Sequence, residues 1–198
     1  MNFVFISPHF PHTYWQFCDR LHRSGVNVLG IGDSSYDSLE DDLKKALTEY
    51  YRVDSLEDYD QVFRAVAFFS FKYGKIDWLE SNNEYWLEQD ARLRTDFHIT
   101  TGADLKEVAC FKSKSAMKKY YAEAGVPTAR CHKITTKEAA NAFLQDVGYP
   151  VIVKPDNGVG ASDTFKLENN RDLDRFFEKL PVVPYVMEEF VEIGRAHV

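Results

Sequence analysis

Short apolar runs alternate with segments of helical periodicity over the first hundred residues. The apolar runs predict strands at Phe3–Ile6, Val26–Ile31, Tyr51–Val53 and Ile76–Glu80. The periodic segments predict helices at His12–Ser24, Leu39–Thr48, Asp58–Tyr73 and Asn83–Arg94. Ser81 and Glu84 have the spacing of a capping box for the last of these helices. Strands that alternate with helices predict a parallel sheet with helices on its faces.

A polar stretch at Thr101–Lys106 precedes a different pattern. Beyond it, helices are predicted at Ser113–Ala124, Thr136–Val147 and Arg171–Leu180. Strands are predicted at Ala129–Ile134, Val151–Lys154, Thr164–Leu167 and Tyr185–Phe190. Thr135 with Glu138, and Asn170, are the predicted caps of the second and third helices. This α+β order differs from the first pattern, so we predict an α/β protein with one domain at 1–105 and another at 106–192.

Composition and charge exclude several classes of protein. The 198 residues carry a net charge of −7, which argues against a nucleic-acid partner because such partners favour a basic face. The three cysteines are far apart and lack the spacing of a zinc site or a disulfide framework. The sequence contains neither a run of eighteen apolar residues nor a signal peptide, so we expect no membrane partner and a cytoplasmic location.

The segment Val151–Leu167 offers the clearest chemistry. A strand ends at Lys154, and the loop that follows is rich in small residues, which are Gly158, Gly160, Ala161 and Ser162. Glycines let backbone N–H groups approach an anion closely, and a lysine supplies a point charge suited to phosphate. The Walker string is absent, and the dinucleotide fingerprint would have to open a helix rather than a strand. The alternative is an ordinary hairpin loop whose glycines only make the turn.

Two further segments carry clustered charge. Lys112, Lys114, Lys118 and Lys119 surround one short helix, and the alternative interpretation is a solvated basic face. Glu188 and Glu189 end an apolar strand. Because side chains alternate along a strand, one of them should face away from solvent, which is costly without a partner. The alternative is an edge strand with exposed acids.

Together, and in this order, the three segments resemble the ATP-grasp superfamily. The matching strings are KSAMKKYYAEAGVP, GYPVIVKPDNGVGAS and MEEFV, within residues 109–191. The resemblance points to the branch with biotin carboxylases and carbamoyl-phosphate synthetases, and to carboxylate–amine ligases. It implies a Rossmann-like pre-ATP-grasp domain followed by the first, incomplete α+β lobe of an ATP-grasp domain.

The resemblance also implies residue roles. Lys114 and Lys154 would contact nucleotide phosphates, with Lys154 lying over the adenine. The flap closing on the β- and γ-phosphates would consist of Gly158, Gly160, Ala161 and Ser162. The hinge at the adenine edge would consist of Glu188, Glu189, Phe190 and Val191. Mg²⁺ is the expected companion of ATP, with its ligands beyond residue 198. No catalytic residue and no metal ligand is assigned within the chain.

The last residues, EIGRAHV, do not resemble the continuation of the family. They look like the translation of a common sequencing adapter. We therefore expect that the reading frame is truncated and that residues 193–198 are not native.

The resemblance implies an ATP-dependent ligase that activates a small carboxylate as an acyl phosphate for attack by an amine. The alternative is a non-catalytic nucleotide-binding module. A dinucleotide-binding protein is disfavoured because SPHFPH stands after Ile6, where glycines would be required. The ends of the first strands place Ser7, His9 and Glu80–Asn83 near the edge where α/β proteins bind ligands. His9 could therefore face an acceptor pocket, or simply be a surface histidine.

Overall fold

The computed structural model describes residues 1–157, 163–179 and 182–192. The chain divides into two compact units, Met1–Val108 and Ala109–Val198. We call them the first and the second unit.

The first unit alternates strands with helices, as the sequence pattern predicts. In chain order they are β1 (Asn2–Ile6), α1 (Trp15–Arg23), β2 (Asn27–Gly32), α2 (Asp41–Ala46), β3 (Glu49–Arg52), α3 (Tyr59–Tyr73), β4 (Trp78–Glu80) and α4 (Leu87–Asp96). The predicted helix at 39–48 is shorter in the structure because the backbone is extended at Leu39 and again at Leu47. The chain then enters β3 two residues earlier than predicted.

The strands of the first unit form a parallel sheet in the order β3-β2-β1-β4. Side chains alternate between its faces, so Val4 and Ile6 pack towards α3 and α4. Phe3 and Phe5 pack on the opposite face, towards α1 and α2. A strand covered on both faces has no polar side, which explains why it reads as a continuous apolar run. The predicted mixed α/β class and parallel sheet are confirmed.

The second unit is built around an antiparallel sheet. Its elements are α5 (Ala109–Lys112), α6 (Lys114–Glu123), β5 (Cys131–Lys133), α7 (Lys137–Val147), β6 (Val151–Pro155), β7 (Phe165–Leu167), α8 (Asn170–Glu178) and β8 (Tyr185–Glu189). The short helix α5 is absent from the sequence prediction. The strand order is β5-β8-β6-β7. The pair β6 and β7 forms the predicted hairpin, with Val151 opposite Leu167.

The core of the second unit lies on one face of this sheet. Val151 and Val153 of β6, and Tyr185 and Met187 of β8, are buried there. Ala140 and Leu144 of α7, and Leu173 and Phe176 of α8, cover them. The other face of the same strands is therefore left to the residues between, among them the predicted site residues Lys154 and Glu188.

Three predicted helix caps are wrong by one or more positions. The hydroxyl of Thr136, not of Thr135, accepts the N–H of Ala139 at the start of α7. Asn169, not Asn170, caps α8. Asn83 caps the 3₁₀ turn that leads into α4. Ser81 instead binds the buried carboxylate of Asp90. Neighbouring residues of equal capping chemistry compete, and backbone direction decides between them.

Among the residues that the structure describes, no helix is long and apolar enough to span a membrane.

Candidate functional site

Lys154 and Glu188 meet on the face of the second sheet that is opposite to its core. Lys154 lies on β6 opposite Val186, and Glu188 lies on the adjacent β8 opposite Ile152. The two residues are thus diagonal neighbours on one face, within reach of long side chains. Their ammonium nitrogen Nζ and carboxylate oxygen Oε2 are 2.6 Å apart.

Glu188 also pairs with a second lysine. Nζ of Lys118, on α6, lies 3.3 Å from Oε1 of Glu188 and donates to the carbonyl of Ala129 at 2.9 Å. Glu188 is buried, with 8 % of its surface exposed, while both lysine side chains stay partly exposed. One buried carboxylate therefore holds two ammonium groups, and the cluster carries a surplus positive charge that suits an anion.

Lys114 stands at the first position of α6, one turn before Lys118. Its backbone N–H and its Nζ both donate to the carbonyl of Asp156, at 3.0 and 3.3 Å. Asp156 directly follows β6 and lies two residues beyond Lys154. The predicted pair Lys114 and Lys154 is thereby linked through a short piece of backbone.

The carboxylate of Asp156 is buried at the N-terminus of α6. Burial by itself raises its pKa, but the N–H and hydroxyl of Ser115 and the hydroxyl of Ser113 outweigh burial and hold the pKa below its ordinary value. Asp156 therefore stays ionised. The thiol of Cys131 lies on the same sheet face, and burial, together with Glu188, raises its pKa to about 11. Cys131 is consequently a protonated, unreactive thiol.

Glu189 points away from the lysines. Its carboxylate accepts the backbone N–H of Arg130 at 2.7 Å and Nε of Arg130 at 2.6 Å. Phe190 and Val191, which follow, are exposed, and Nζ of Lys166 lies 4.9 Å from the centre of the Phe190 ring. The structure thus separates the two adjacent glutamates that the sequence treats alike. It brings only Glu188 to the lysines.

The remaining predicted site residues, Gly158, Gly160, Ala161 and Ser162, lie outside the described residues, as does the tail at 193–198. Within the described ranges, no group of three or more His, Cys, Asp or Glu side chains could hold a metal ion.

Sequence reasoning missed two residues of this cluster. The family resemblance assigns no role to Lys118, although its spacing of four from Lys114 places both on one side of a helix. No role is predicted for Asp156, because its partners Ser113 and Ser115 are more than 40 positions away in the sequence. The sequence carried a signal for Lys118 but none for Asp156.

The first unit has its own cavity, of about 450 Å³, at the carboxyl edge of the parallel sheet. Ser7, His9, Asp33 and Asn83 supply polar groups to its wall. Nε2 of His9 lies 3.2 Å from Oδ1 of Asp33. Burial lowers the pKa of His9, although the Asp33 carboxylate acts in the opposite direction. His9 is therefore half-buried and largely neutral at pH 7, rather than a plain surface histidine.

Comparison with known families identifies a similarity within the second unit. Residues 113–179 match the model of the carbamoyl-phosphate synthase L chain, ATP binding domain. This segment is therefore similar to the ATP-binding domain of ATP-grasp ligases. The matched segment includes Lys114, Lys118, Lys154 and Asp156.

The chain is also similar to two curated ligases. An L-arginine-specific L-amino acid ligase of Bacillus subtilis is 30 % identical over 158 residues, which is 78 % of this chain and 37 % of that ligase. An alanine–anticapsin ligase of Bacillus amyloliquefaciens is 25 % identical over 173 residues, which is 76 % of this chain and 36 % of that ligase. The chain thus spans little more than a third of the length of these relatives.

A solved structure has the same fold. It is the biotin carboxylase domain of the Hydrogenobacter thermophilus 2-oxoglutarate carboxylase, in complex with MgADP, ADP and bicarbonate. The TM-score is 0.76 at 19 % identity, over 96 % of this chain and 44 % of that chain.

Proposed function

We propose that the second unit binds ATP as part of a ligase that joins a carboxylate to an amine. A carboxylate oxygen attacks the γ-phosphorus of ATP, and ADP leaves. The amine nitrogen then attacks the carbonyl carbon of the acyl phosphate, phosphate leaves, and the nitrogen loses a proton. The observation that carries the proposal is the arrangement of three lysines that lie in a segment matching an ATP-binding domain. Lys118 and Lys154 share the buried carboxylate of Glu188, and Lys114 binds the backbone carbonyl of Asp156.

The work of these residues would be positioning and charge neutralisation. Lys114 and Lys154 would meet the nucleotide phosphates, with the loop at Gly158–Ser162 closing over them as the family resemblance implies. Glu188, Phe190 and Val191 would border the adenine. Mg²⁺ would help to neutralise the charge of the phosphates.

The relatives suggest the class of substrate. Both curated ligases are named for amino acids, one for L-amino acids and one for alanine. An amino acid supplies a small carboxylate as well as an amine, so we propose amino acids as the first substrates to assay.

We further propose that residues 1–105 form a Rossmann-like pre-ATP-grasp domain and residues 106–192 part of the ATP-grasp domain. The strand order β3-β2-β1-β4 and the covering of both sheet faces support the first assignment. The cavity beside Ser7 and His9 lies where such sheets bind ligands, and it would help to hold the acceptor.

Replacing Lys154 by alanine tests the nucleotide site. We expect the Kd for ATP to rise about tenfold or more, because a charge-assisted contact to phosphate is worth roughly 1.5–3 kcal/mol. Lys137→Ala is the matched control, since Lys137 lies in the same unit and pairs with Asp174 at 2.8 Å, away from β6. Isothermal titration of each purified variant with ATP, and with NAD for comparison, measures the effect.

An unchanged ATP affinity in Lys154→Ala would remove this residue from the site. Equal binding of NAD and ATP would favour a dinucleotide-binding protein.

A further inference from the structure

Asp156 joins two elements of the proposed nucleotide site through its backbone. Its N–H donates to the carbonyl of Pro184 at 2.8 Å, in the segment that leads into β8. Its carbonyl accepts the N–H and Nζ of Lys114 at 3.0 and 3.3 Å. The residue therefore ties β6, which carries Lys154, to the start of α6.

Its side chain fixes the same helix. Oδ1 accepts the N–H of Ser115 at 2.8 Å, and Oδ2 accepts the hydroxyls of Ser113 and Ser115 at 3.0 and 2.9 Å. The hydroxyl of Ser113 in turn accepts the N–H of Ala116 at 3.1 Å. A carboxylate at a helix N-terminus also interacts favourably with the helix dipole. Only 5 % of Asp156 is exposed, so little freedom is left at this end of α6.

We infer that Asp156 is a positioning residue of the nucleotide site. It keeps Lys114 and Lys118 in place relative to Lys154. The inference rests on the proposed function. Lysine side chains have several rotatable bonds, so their placement depends on the helix that carries them. Lys114 and Lys118 both lie on α6, and fixing the first turn of that helix fixes the base of both side chains.

Charge and position predict opposite effects when Asp156 is removed. As a charge alone, its carboxylate repels a triphosphate, and its removal would strengthen ATP binding. If Asp156 anchors α6, its removal leaves Lys114 and Lys118 less well placed and weakens ATP binding. Whether the Kd for ATP falls or rises therefore distinguishes the two roles of Asp156.

The test compares ATP with adenosine, which lacks phosphates. For Asp156→Ala we expect the Kd for ATP to rise about tenfold, while the Kd for adenosine changes less than about twofold. Asp156→Asn keeps an acceptor for the N–H of Ser115 and should recover part of the ATP affinity. NMR titration of the whole chain with each ligand gives both constants.

Asp172→Ala is the matched control for loss of a helix anchor. Asp172 accepts the N–H of Glu168 and the side chain of Asn169 at the start of α8, outside the lysine cluster. We expect it to lower the melting temperature without changing the ratio of the two Kd values.

Three results would overturn the inference. The first is ATP binding to Asp156→Ala that is as tight as, or tighter than, in the wild type. The second is a parallel loss of ATP and adenosine affinity that follows the melting temperature, as for a purely structural residue. The third is a wild-type chain that binds no ATP, which overturns the proposed function as well. An effect of Lys154→Ala without a selective effect of Asp156→Ala would leave the proposed function intact and remove only this inference.

Discussion

Replacing Asp90 by asparagine is expected to stabilise the first unit at pH 8 by on the order of 2–4 kcal/mol, and by far less at pH 4. Asp90 lies on α4 and is fully buried. Its Oδ2 accepts the hydroxyl and N–H of Ser81 at 2.5 and 3.0 Å, while its Oδ1 has no hydrogen-bond partner. Half of this buried carboxylate is thus unsatisfied.

Burial is the largest cause of the altered titration of Asp90. It raises the pKa to about 7, with the nearby Glu80 acting in the same direction and Ser81 and Arg94 in the opposite one. An unfolded aspartate titrates near pH 3.9, roughly. Below that pH both states hold the proton, so the ionisation costs nothing. As the pH rises towards 7, only the unfolded chain releases its proton, and the stability of the fold falls.

Asparagine mimics the protonated acid and therefore avoids this loss. Its carbonyl can accept from Ser81, and its size matches that of aspartate. The stability difference between the variant and the wild type should grow between about pH 4 and pH 7 and then remain constant.

Urea unfolding followed by tryptophan fluorescence measures this effect selectively, because the three tryptophans, Trp15, Trp78 and Trp86, all lie in the first unit. Asp42→Asn is the control, since Asp42 is an exposed partner of Lys45 in the same unit. A variant at Asp90 that is no more stable than the wild type at pH 8 would contradict the prediction.

The sequence pattern predicts elements well where burial is unambiguous. Phe3–Ile6 is covered on both faces and therefore stands out as an apolar run. Helix starts are predicted less well because Thr135 and Thr136, or Asn169 and Asn170, are chemically equivalent caps. Only the backbone angles of the folded chain select one residue of each pair.

The candidate site, too, is predicted only in part. The family resemblance leads to Lys114, Lys154 and the adjacent glutamates. Strand alternation predicts that one of Glu188 and Glu189 is turned away from solvent, and the burial of Glu188 confirms this. The identity of that residue depends on the register, in which Ile152 lies opposite Glu188. The contacts of Asp156 join residues distant in sequence, and no local pattern encodes them.

Replacing Glu188 by alanine is expected to destabilise the second unit by about 3 kcal/mol, as when one partner of a buried ion pair is removed. Glu188 is the shared partner of Lys118 and Lys154, at 3.3 and 2.6 Å. Without it, two partly buried ammonium groups lose the carboxylate that both of them contact. Lys118→Ala in the Glu188→Ala background should recover part of the loss, because it removes one of the two charges.

Glu189→Ala is the matched control because it changes the adjacent residue on the opposite side of the strand. Glu189 pairs with Arg130, which is half exposed, and surface pairs of this kind contribute little. Hydrogen exchange of the β6 and β8 amides, followed by mass spectrometry, reports on the second unit alone. Equal exchange in the two variants would contradict the prediction.

Adding polyphosphate distinguishes two roles of the Glu188 carboxylate. It either only pairs with the two lysines, or it occupies the position that a phosphate ligand would take. A ligand that binds only the folded state stabilises it in proportion to the logarithm of its concentration relative to Kd. If the lysines bind phosphate, tripolyphosphate, which has no adenine, should protect β6 and β8 more strongly in Glu188→Ala than in the wild type, because the anion no longer competes with a carboxylate. If the lysines serve only to neutralise Glu188, the anion will leave the exchange of both proteins unchanged. The loss of stability in Glu188→Ala tests whether the lysines need a negative partner, and its recovery by an anion tests whether that partner can be a phosphate.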